Sequence, residues 1–338
     1  MKKRSALIIF ASLIFILLTA CGEQSKEDVV KKLEEQAEKM SGYKTDASMT
    51  MNTGKEQQKY HIEVWHKKKD FYRVKLQHDQ DEEGSQIILK NKEGVFVLTP
   101  ALNKSFKFQS EWPQNSSQPY LYESLVQDIL KDSEAEFSTM EDYYVFKTKT
   151  NYQNNKSLPF QEIYFDKKTY QPVLVKVFDQ DMQALVEVQF GGFTKDPSFK
   201  EEDFDVQKNM AAVQTEVPVM NMEGEQTFTV RYPAVQLGAE LAEKQEVDME
   251  AGKRVIMTYK GDKSFTIIEE QAEVKAASTA DVVPVQGEPV NLGFTIGAIN
   301  DNTLEWNYKG MKFRLASNDL TREEMIEVAG SVYDQSVK

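Results

Sequence analysis

The chain of 338 residues holds one cysteine, Cys21, and three histidines, His61, His66 and His78. These four bound its nucleophilic, redox and metal chemistry. A single cysteine allows no intramolecular disulfide. His61 and His66 sit five residues apart in one strand-like run, where successive side chains alternate faces. They point to opposite sides and cannot share a metal ion. No G-x-S-x-G motif sets a serine on a nucleophile elbow. No glycine-rich loop opens a helix after a strand, and Gly293 and Gly297 lie in a strand-like stretch instead of a phosphate cradle. The carboxylates Asp79, Asp81, Glu82 and Glu83 fall in polar loops, without the apolar surroundings that turn a carboxyl into a general acid. These residues predict a protein without catalysis, resident metal or cofactor.

The chemistry left is that of Cys21. A basic start, Lys2-Lys3-Arg4, precedes an apolar run from Ala6 to Leu18 broken only by Ser12, and then Leu18-Thr19-Ala20-Cys21. A charged n-region, an apolar h-region and small residues before a cleavage point form a secretory signal peptide. The last four residues resemble the bacterial lipobox, Leu-[Ala/Ser/Thr]-[Gly/Ala]-Cys. That resemblance implies a diacylglyceryl group on the Cys21 sulfur and cleavage just before it. The 16 residues from Ser5 to Ala20 fall short of the roughly 20 needed to span a bilayer. Two acyl chains anchor stably where one does not, and a thiol committed to lipid is no nucleophile. The expectation is residues 1–20 as signal peptide, 21–25 as a lipidated tether, and a body on the extracytoplasmic face of the cell membrane. The chain carries a net charge of −13, which falls to −16 without residues 1–20, since three basic residues go and no acidic ones. That balance argues against nucleic acid and against adsorption to anionic lipid by charge.

The elements that position the rest begin at Ser25. Ser25-Lys26-Glu27-Asp28 has the form of a capping box, and Val29, Leu33, Ala37 and Met40 follow on one helical face. Ser41-Gly42 closes that helix with a glycine suited to a left-handed cap. Alternating strands follow at 47–51, 60–65 and 72–76, with turn signals at 52–54, 67–70 and 91–94. Ile87–Leu89, Val95–Leu98 and Val173–Val175 are apolar on both parities, as in strands with little water on either face. A second helix is predicted over 120–131, with Leu121, Leu125 and Ile129 on one stripe, and further hairpins over 162–190. Residues 207–224 read as a linker. The remainder, 225–338, carries hairpins over 255–268 and 304–315 and a last helix opened by the capping box Thr321-Arg322-Glu323-Glu324. Two helices and many antiparallel strands with short turns predict an α+β meander over 26–206 and a smaller C-terminal α+β module.

Four stretches carry a resemblance. Trp65-His66-Lys67-Lys68-Lys69-Asp70-Phe71-Tyr72-Arg73-Val74 resembles the W-x-K-[KR]-P-x-x-x-R-[VW] hairpin of LolA-like lipoprotein carriers. Ile87–Leu98 with Thr99-Pro100, Tyr164–Pro172, and Asp203-Phe204 are similar to later strands and turns of that family. The whole chain is most similar to the YdcC-type sporulation lipoproteins of Gram-positive spore-formers. The resemblance implies a LolA-like antiparallel half-barrel of eleven strands wrapped over helices, with an apolar cavity for acyl chains. Lys69 departs from the family at the hairpin proline, and the gating basic residue of the carriers corresponds to Lys68. The end of the chain, Trp306–Leu315 and the Thr321 helix, resembles a small module of bacterial extracytoplasmic proteins with no catalytic activity attached.

Aromatic residues crowd the first domain, and Trp65, Phe71, Phe96 and Phe165, with Lys68, are the candidate cavity or hairpin residues. Alternation alone fits both a packed inner face and an open cleft. Two functions are therefore expected of the anchored body in sporulation. One is binding of lipid or lipoprotein acyl chains in an apolar cavity. The other is a scaffold holding a peptidoglycan-modifying cell-wall enzyme during spore envelope or cortex assembly.

Overall fold

The computed structural model describes residues 24–52, 57–79, 81–113, 117–152, 156–214, 228–249, 252–271, 281–292 and 294–332. Cys21, the signal segment, most of the tether, the end of the linker stretch and the small-residue run 276–280 lie outside them.

Helix α1 (Lys26–Lys39) starts where the sequence places it: the Ser25 hydroxyl accepts from the Asp28 N–H at 3.2 Å. Val29 and Leu33 are its buried stripe. The expected left-handed glycine cap is absent. Met40 caps the helix in an extended conformation, and Gly42 already belongs to β1 (Gly42–Met51). Glycine is needed there for space, since a Cβ would collide with the His66 carbonyl oxygen on the paired strand.

Five further strands meander from β1: β2 (Gln58–Lys67), β3 (Phe71–His78), β4 (Asp81–Asn91), β5 (Gly94–Thr99) and β6 (Lys104–Phe108). Helix α2 (Tyr122–Lys131) crosses over to a second meander: β7 (Glu136–Thr139), β8 (Tyr143–Lys149), β9 (Phe160–Asp166), β10 (Pro172–Phe178) and β11 (Ala184–Lys195). Pairing of β1 with β11 fuses the meanders into one antiparallel sheet that curls over α1 and α2. This is the open half-barrel that the resemblance implies. A twelfth strand, β15 (Asp281–Val285), joins beside β6 in the parallel sense, so the C-terminal part of the chain contributes to the first sheet. Strands β6, β7 and β8 have no counterpart in the sequence reading.

The turns show why particular residues stand where they do. Asp166 accepts from the N–H groups of Lys168 and Thr169 at 3.0 and 2.8 Å, an Asx-type turn between β9 and β10. In the β2–β3 turn Lys69 and Asp70 both have φ of 70°. Proline is locked near −65°, so the departure at Lys69 is a requirement of this turn.

The stretch read as linker is helical at its start, as α3 (Val206–Gln214). The second sheet has seven strands in the order β12-β13-β14-β19-β18-β17-β16. These are β12 (Ala239–Met249), β13 (Gly252–Gly261), β14 (Phe265–Gln271), β16 (Glu288–Asn291), β17 (Ile296–Ile299), β18 (Thr303–Tyr308) and β19 (Met311–Ala316). Helix α4 (Arg322–Gly330) covers one face; Thr321 and Glu324 form the reciprocal capping box expected from sequence. Its buried Met325, Val328 and Ala329 pack with Leu304, Trp306, Phe313 and Leu315. One side chain fastens the two sheets. Gln86 Oε1 accepts from the Ile296 N–H at 2.6 Å and the Thr295 hydroxyl at 3.2 Å, and its amide nitrogen donates to Thr99 Oγ1 at 3.3 Å.

Candidate functional site

The five candidate residues do not converge. Phe165 is on the concave face, fully buried against Tyr122 and Phe146 at ring separations of 6.3 and 6.2 Å. Trp65, Phe71 and Phe96 have the other parity and point from the convex face. A cluster there joins Phe71, Ile87, Leu89, Phe96 and Leu98 to Phe204, Val206 and Met210. Phe199 stacks on Trp65 at 5.3 Å, and Phe204 meets Phe71 at 5.4 Å. Arg73 pins the cover from below: Nε donates to Asn209 Oδ1 at 2.6 Å, Nη1 to Glu63 Oε1 at 2.5 Å, and the guanidinium lies 4.3 Å from the Trp65 ring. The doubly apolar strands β4 and β5 are thus buried on both faces, as their sequence demands. Val173 and Leu174 of β10, which the sequence reading also placed in a strand with little water on either face, are only half-buried. Lys68 is an exposed turn residue whose backbone N–H donates to Ser41 O at 2.8 Å.

The space beneath the helices is filled. Val29 and Leu33 from α1, Leu125 from α2, and Tyr43, Val64, Phe146, Ile163, Phe165 and Val175 from the sheet are each 1% exposed or less. Two polar knots tie the helices in. Tyr43 OH donates to Glu123 Oε2 at 3.1 Å and accepts from the Tyr122 N–H at 3.2 Å. His66 Nδ1 lies 2.8 Å from Glu123 Oε1, and its ring stacks on Tyr72 at 4.4 Å. Asp128 accepts from the Ser117 hydroxyl at 2.5 Å and the Gln161 amide at 2.7 Å. Burial pushes the Asp128 carboxyl up to about 6, against the pull of those two donors. At the end of the half-barrel, Val290 and Ile326 leave a space of only about 70 Å³ beside Met49, Tyr152 and Leu158.

Open volume lies at the surface of α1, by Lys32, Gln36, Tyr170 and Lys195, where a polar groove of about 370 Å³ runs, and between the two sheets. Beyond the contact of Ile296 and Ala298 with the concave core, a cleft of about 350 Å³ remains between β5, β6 and β15 on one side and β17–β19 on the other. Val97, Phe106, Phe108, Val283 and Val285 make its apolar wall. The opposite wall is largely polar, because Leu304, Phe313 and Leu315 face α4 and their neighbours Glu305, Asn307, Lys312 and Arg314 face the cleft; the Trp306 ring packs in the α4 core and also borders the cleft. Arg314 Nε holds Glu305 Oε1 at 3.0 Å, and Lys312 Nζ stands 3.7 Å from Glu305 Oε2 and 3.8 Å from Glu270 Oε1. Lys104 from β6 adds a third cation to the lining, whose own carboxylate is Glu305, with Glu270 just outside the cleft. Its volume falls in the range of small-molecule sites, and its lining suits an amphiphile with an anionic head. Among the described residues no group of three or more metal-ligating side chains converges, and no helix is long and apolar enough to cross a membrane.

A family model described as "Sporulation protein YdcC-like" matches residues 2–204. The sporulation protein YdcC of Bacillus subtilis (strain 168) is 48% identical over 338 residues, covering 100% of this chain and 99% of that protein. The chain belongs to the YdcC-like family of sporulation proteins. The family model ends at Phe204, where the convex face of the half-barrel is closed, whereas the likeness to Bacillus subtilis YdcC runs on through the second sheet. Both walls of the cleft therefore lie within the length shared with YdcC. Among solved structures, the MucA/MucB complex of Pseudomonas aeruginosa is 13% identical, with 89% of this chain and 97% of that one covered and a TM-score of 0.36. The LolA superfamily protein NE2245 of Nitrosomonas europaea is 9% identical, with 55% and 100% covered and a TM-score of 0.31.

Proposed function

We propose that this YdcC-like protein acts in sporulation as a non-catalytic binding protein, held on the extracytoplasmic face of the membrane by diacylglyceryl on Cys21. Its ligand is the acyl chain of a lipid or lipoprotein with an anionic head, taken into the cleft between the two sheets. The observation carrying this reading is the cleft itself, with an aliphatic and aromatic wall facing a wall that carries Lys312 and Arg314. The filled space under α1 and α2 moves the acyl-binding role from the half-barrel interior to its rim. Mass spectrometry of membrane-extracted protein should find Cys21 first in the mature chain, carrying fatty acid; an unmodified amino terminus elsewhere removes the anchor. For the cleft, Trp306 fluorescence should report dodecanoate binding about tenfold tighter than dodecyltrimethylammonium, and Lys312→Glu with Arg314→Glu should erase that preference. Ala298→Trp, which fills the cleft from β17, should abolish both signals. Equal binding of the two detergents, or binding untouched by Ala298→Trp, would put the ligand somewhere else.

A further inference from the structure

Helix α1 begins a few residues after the proposed anchor, and the length between them decides which part of the body stays near the membrane. Gln24 is the third residue after Cys21. Three extended residues span at most about 11 Å, so Gln24 cannot stand farther than that from Cys21. Gln24 is in turn tied to the fold, since its Oε1 accepts from the Tyr170 hydroxyl at 2.6 Å. Tyr170 ends the turn between β9 and β10 and borders the polar groove of about 370 Å³ along α1. The short tether therefore holds the rim of this groove close to the bilayer surface.

Two lysines of the groove hold only neutral oxygens. Lys32 Nζ donates to Tyr170 OH at 3.1 Å and stands 5.3 Å from the centre of that ring. Lys195 Nζ, from the end of β11, donates to Gln36 Oε1 at 2.5 Å and to the Thr169 carbonyl oxygen at 3.0 Å. Gln36 itself donates to the Tyr170 carbonyl at 3.2 Å, so both ammonium groups gather about one turn. The two carboxylates of the lining are engaged by other groups. Glu35 pairs with Lys39 at 2.8 Å, and Asp196 accepts from the Ser41 N–H and hydroxyl at 2.6 and 2.8 Å. Among the described residues neither Lys32 nor Lys195 forms an ion pair with a carboxylate. Burial pulls the Lys195 ammonium below the ordinary lysine value, against the pull of Asp196, and an anion beside it would favour the charged form.

Two exposed ammonium groups bind an oxyanion weakly from free solution. The anchor changes the arithmetic, because lipid phosphates next to Cys21 meet the groove as a tethered ligand does, at an effective concentration of millimolar order. We infer that the groove along α1 seats the phosphate of an anionic phospholipid headgroup from the leaflet that holds Cys21, and so orients the body on the membrane. The site rests on the Cys21 anchor but not on the cleft, with which it shares no lining residue.

The test uses the mature full chain, placed either in phosphatidylglycerol vesicles or in neutral detergent micelles, with lysine acetylation read by mass spectrometry. Lys32 and Lys195 should react about tenfold more slowly on the vesicles, and Lys39 at the groove's edge should slow as well. Lys31, exposed on α1 outside the groove, should slow less, and Lys253 on β13 should keep its rate. Lys32→Glu with Lys195→Glu should release Lys39 while the chain still floats with the vesicles; Lys32→Arg with Lys195→Arg should keep Lys39 protected. Equal rates on vesicles and micelles, in a chain that floats, would overturn the seat and leave the anchor standing. Lys31 slowed as much as Lys32 would overturn it too, as a general surface effect. Equal protection by inorganic phosphate in micelles would make the groove a free-anion site and remove the membrane from it. A chain that does not float loses anchor and seat together.

Discussion

Glu269→Gln should leave the protein more stable than wild type at pH 8, with a clearly smaller loss of stability between pH 6 and 8. Glu269 lies on β14 beside Phe265 and Ile267, with its side chain wholly buried. Its carboxylate accepts from one backbone N–H, that of Arg231, at 3.2 and 3.1 Å. The Arg231 guanidinium is spent elsewhere, over the rings of Tyr308 and Phe313 at 5.4 and 5.8 Å. Burial therefore pushes the Glu269 carboxyl up to about 7, against the weaker pull of Arg231. A carboxyl raised above its unfolded value binds its proton more tightly in the fold. Its contribution is complete below about pH 4.5 and is lost as pH rises through about 7. The loss is on the order of 3 kcal/mol, at about 1.4 kcal/mol for each tenfold change in proton affinity. Asp128 behaves in the same sense, but its window runs from about 4 to about 6. Above pH 6 the largest part of the remaining slope belongs to Glu269, beside the tail of Asp128 and a smaller part from Glu327, whose carboxyl is also raised by burial. Glutamine keeps an acceptor for the Arg231 N–H and never ionises. Urea unfolding at pH 5, 6.5 and 8 separates the cases. A Glu269→Gln chain that is weaker at pH 8, with the wild-type slope retained, would mean that Arg231 holds an ionised carboxylate.

The N-capping residues of α1 and α4, the β9–β10 turn and the doubly apolar β4 and β5 were legible because each depends on residues adjacent in sequence. Parity told that Ile87, Leu89, Phe96 and Leu98 needed a second cover. It could not tell that Phe199, Phe204, Val206 and Met210 supply it, since that contact joins segments about a hundred residues apart. The same limit explains the site. Trp65, Phe71 and Phe96 share with Phe165 an aromatic character but not a face, and only the register of β2–β5 against β9 assigns the faces. The cleft left a fainter trace: the hairpin 304–315 alternates Leu304, Trp306, Phe313 and Leu315 with Glu305, Asn307, Lys312 and Arg314. That pattern marks a polar outer face; what converts it to a cleft wall is the parallel addition of β15 to β6, which no local pattern announces. Buried Asp128 and Glu269 were hidden for a related reason, since each is polar in sequence and buried only by distant elements.

Phe165→Ala should cost about 3–5 kcal/mol, the range for truncating a large aromatic in a filled core. The residue is fully buried and edge-on to both Tyr122, on α2, and Phe146, on β8. Removing the ring takes away one of the aromatic contacts through which α2 and the sheet meet, and the close-packed neighbours can only partly collapse into the gap. An open acyl cavity under the helices would give a different number. There the ring would border existing space, and its loss would widen that space without creating a new void. Two companions calibrate the scale. Phe96→Ala, on the covered convex face, should cost a similar amount, whereas Lys68→Ala, in an exposed turn, should stay within about 0.5 kcal/mol. Denaturant midpoints of the three variants decide between a packed and an open half-barrel. The same Phe165→Ala chain, held folded at low temperature, should bind dodecanoate as wild type does, because the cleft is lined from β5, β6, β15 and β17–β19 and not by Phe165. A Phe165→Ala chain of unaltered stability and altered acyl binding would return the ligand to the space beneath α1 and α2.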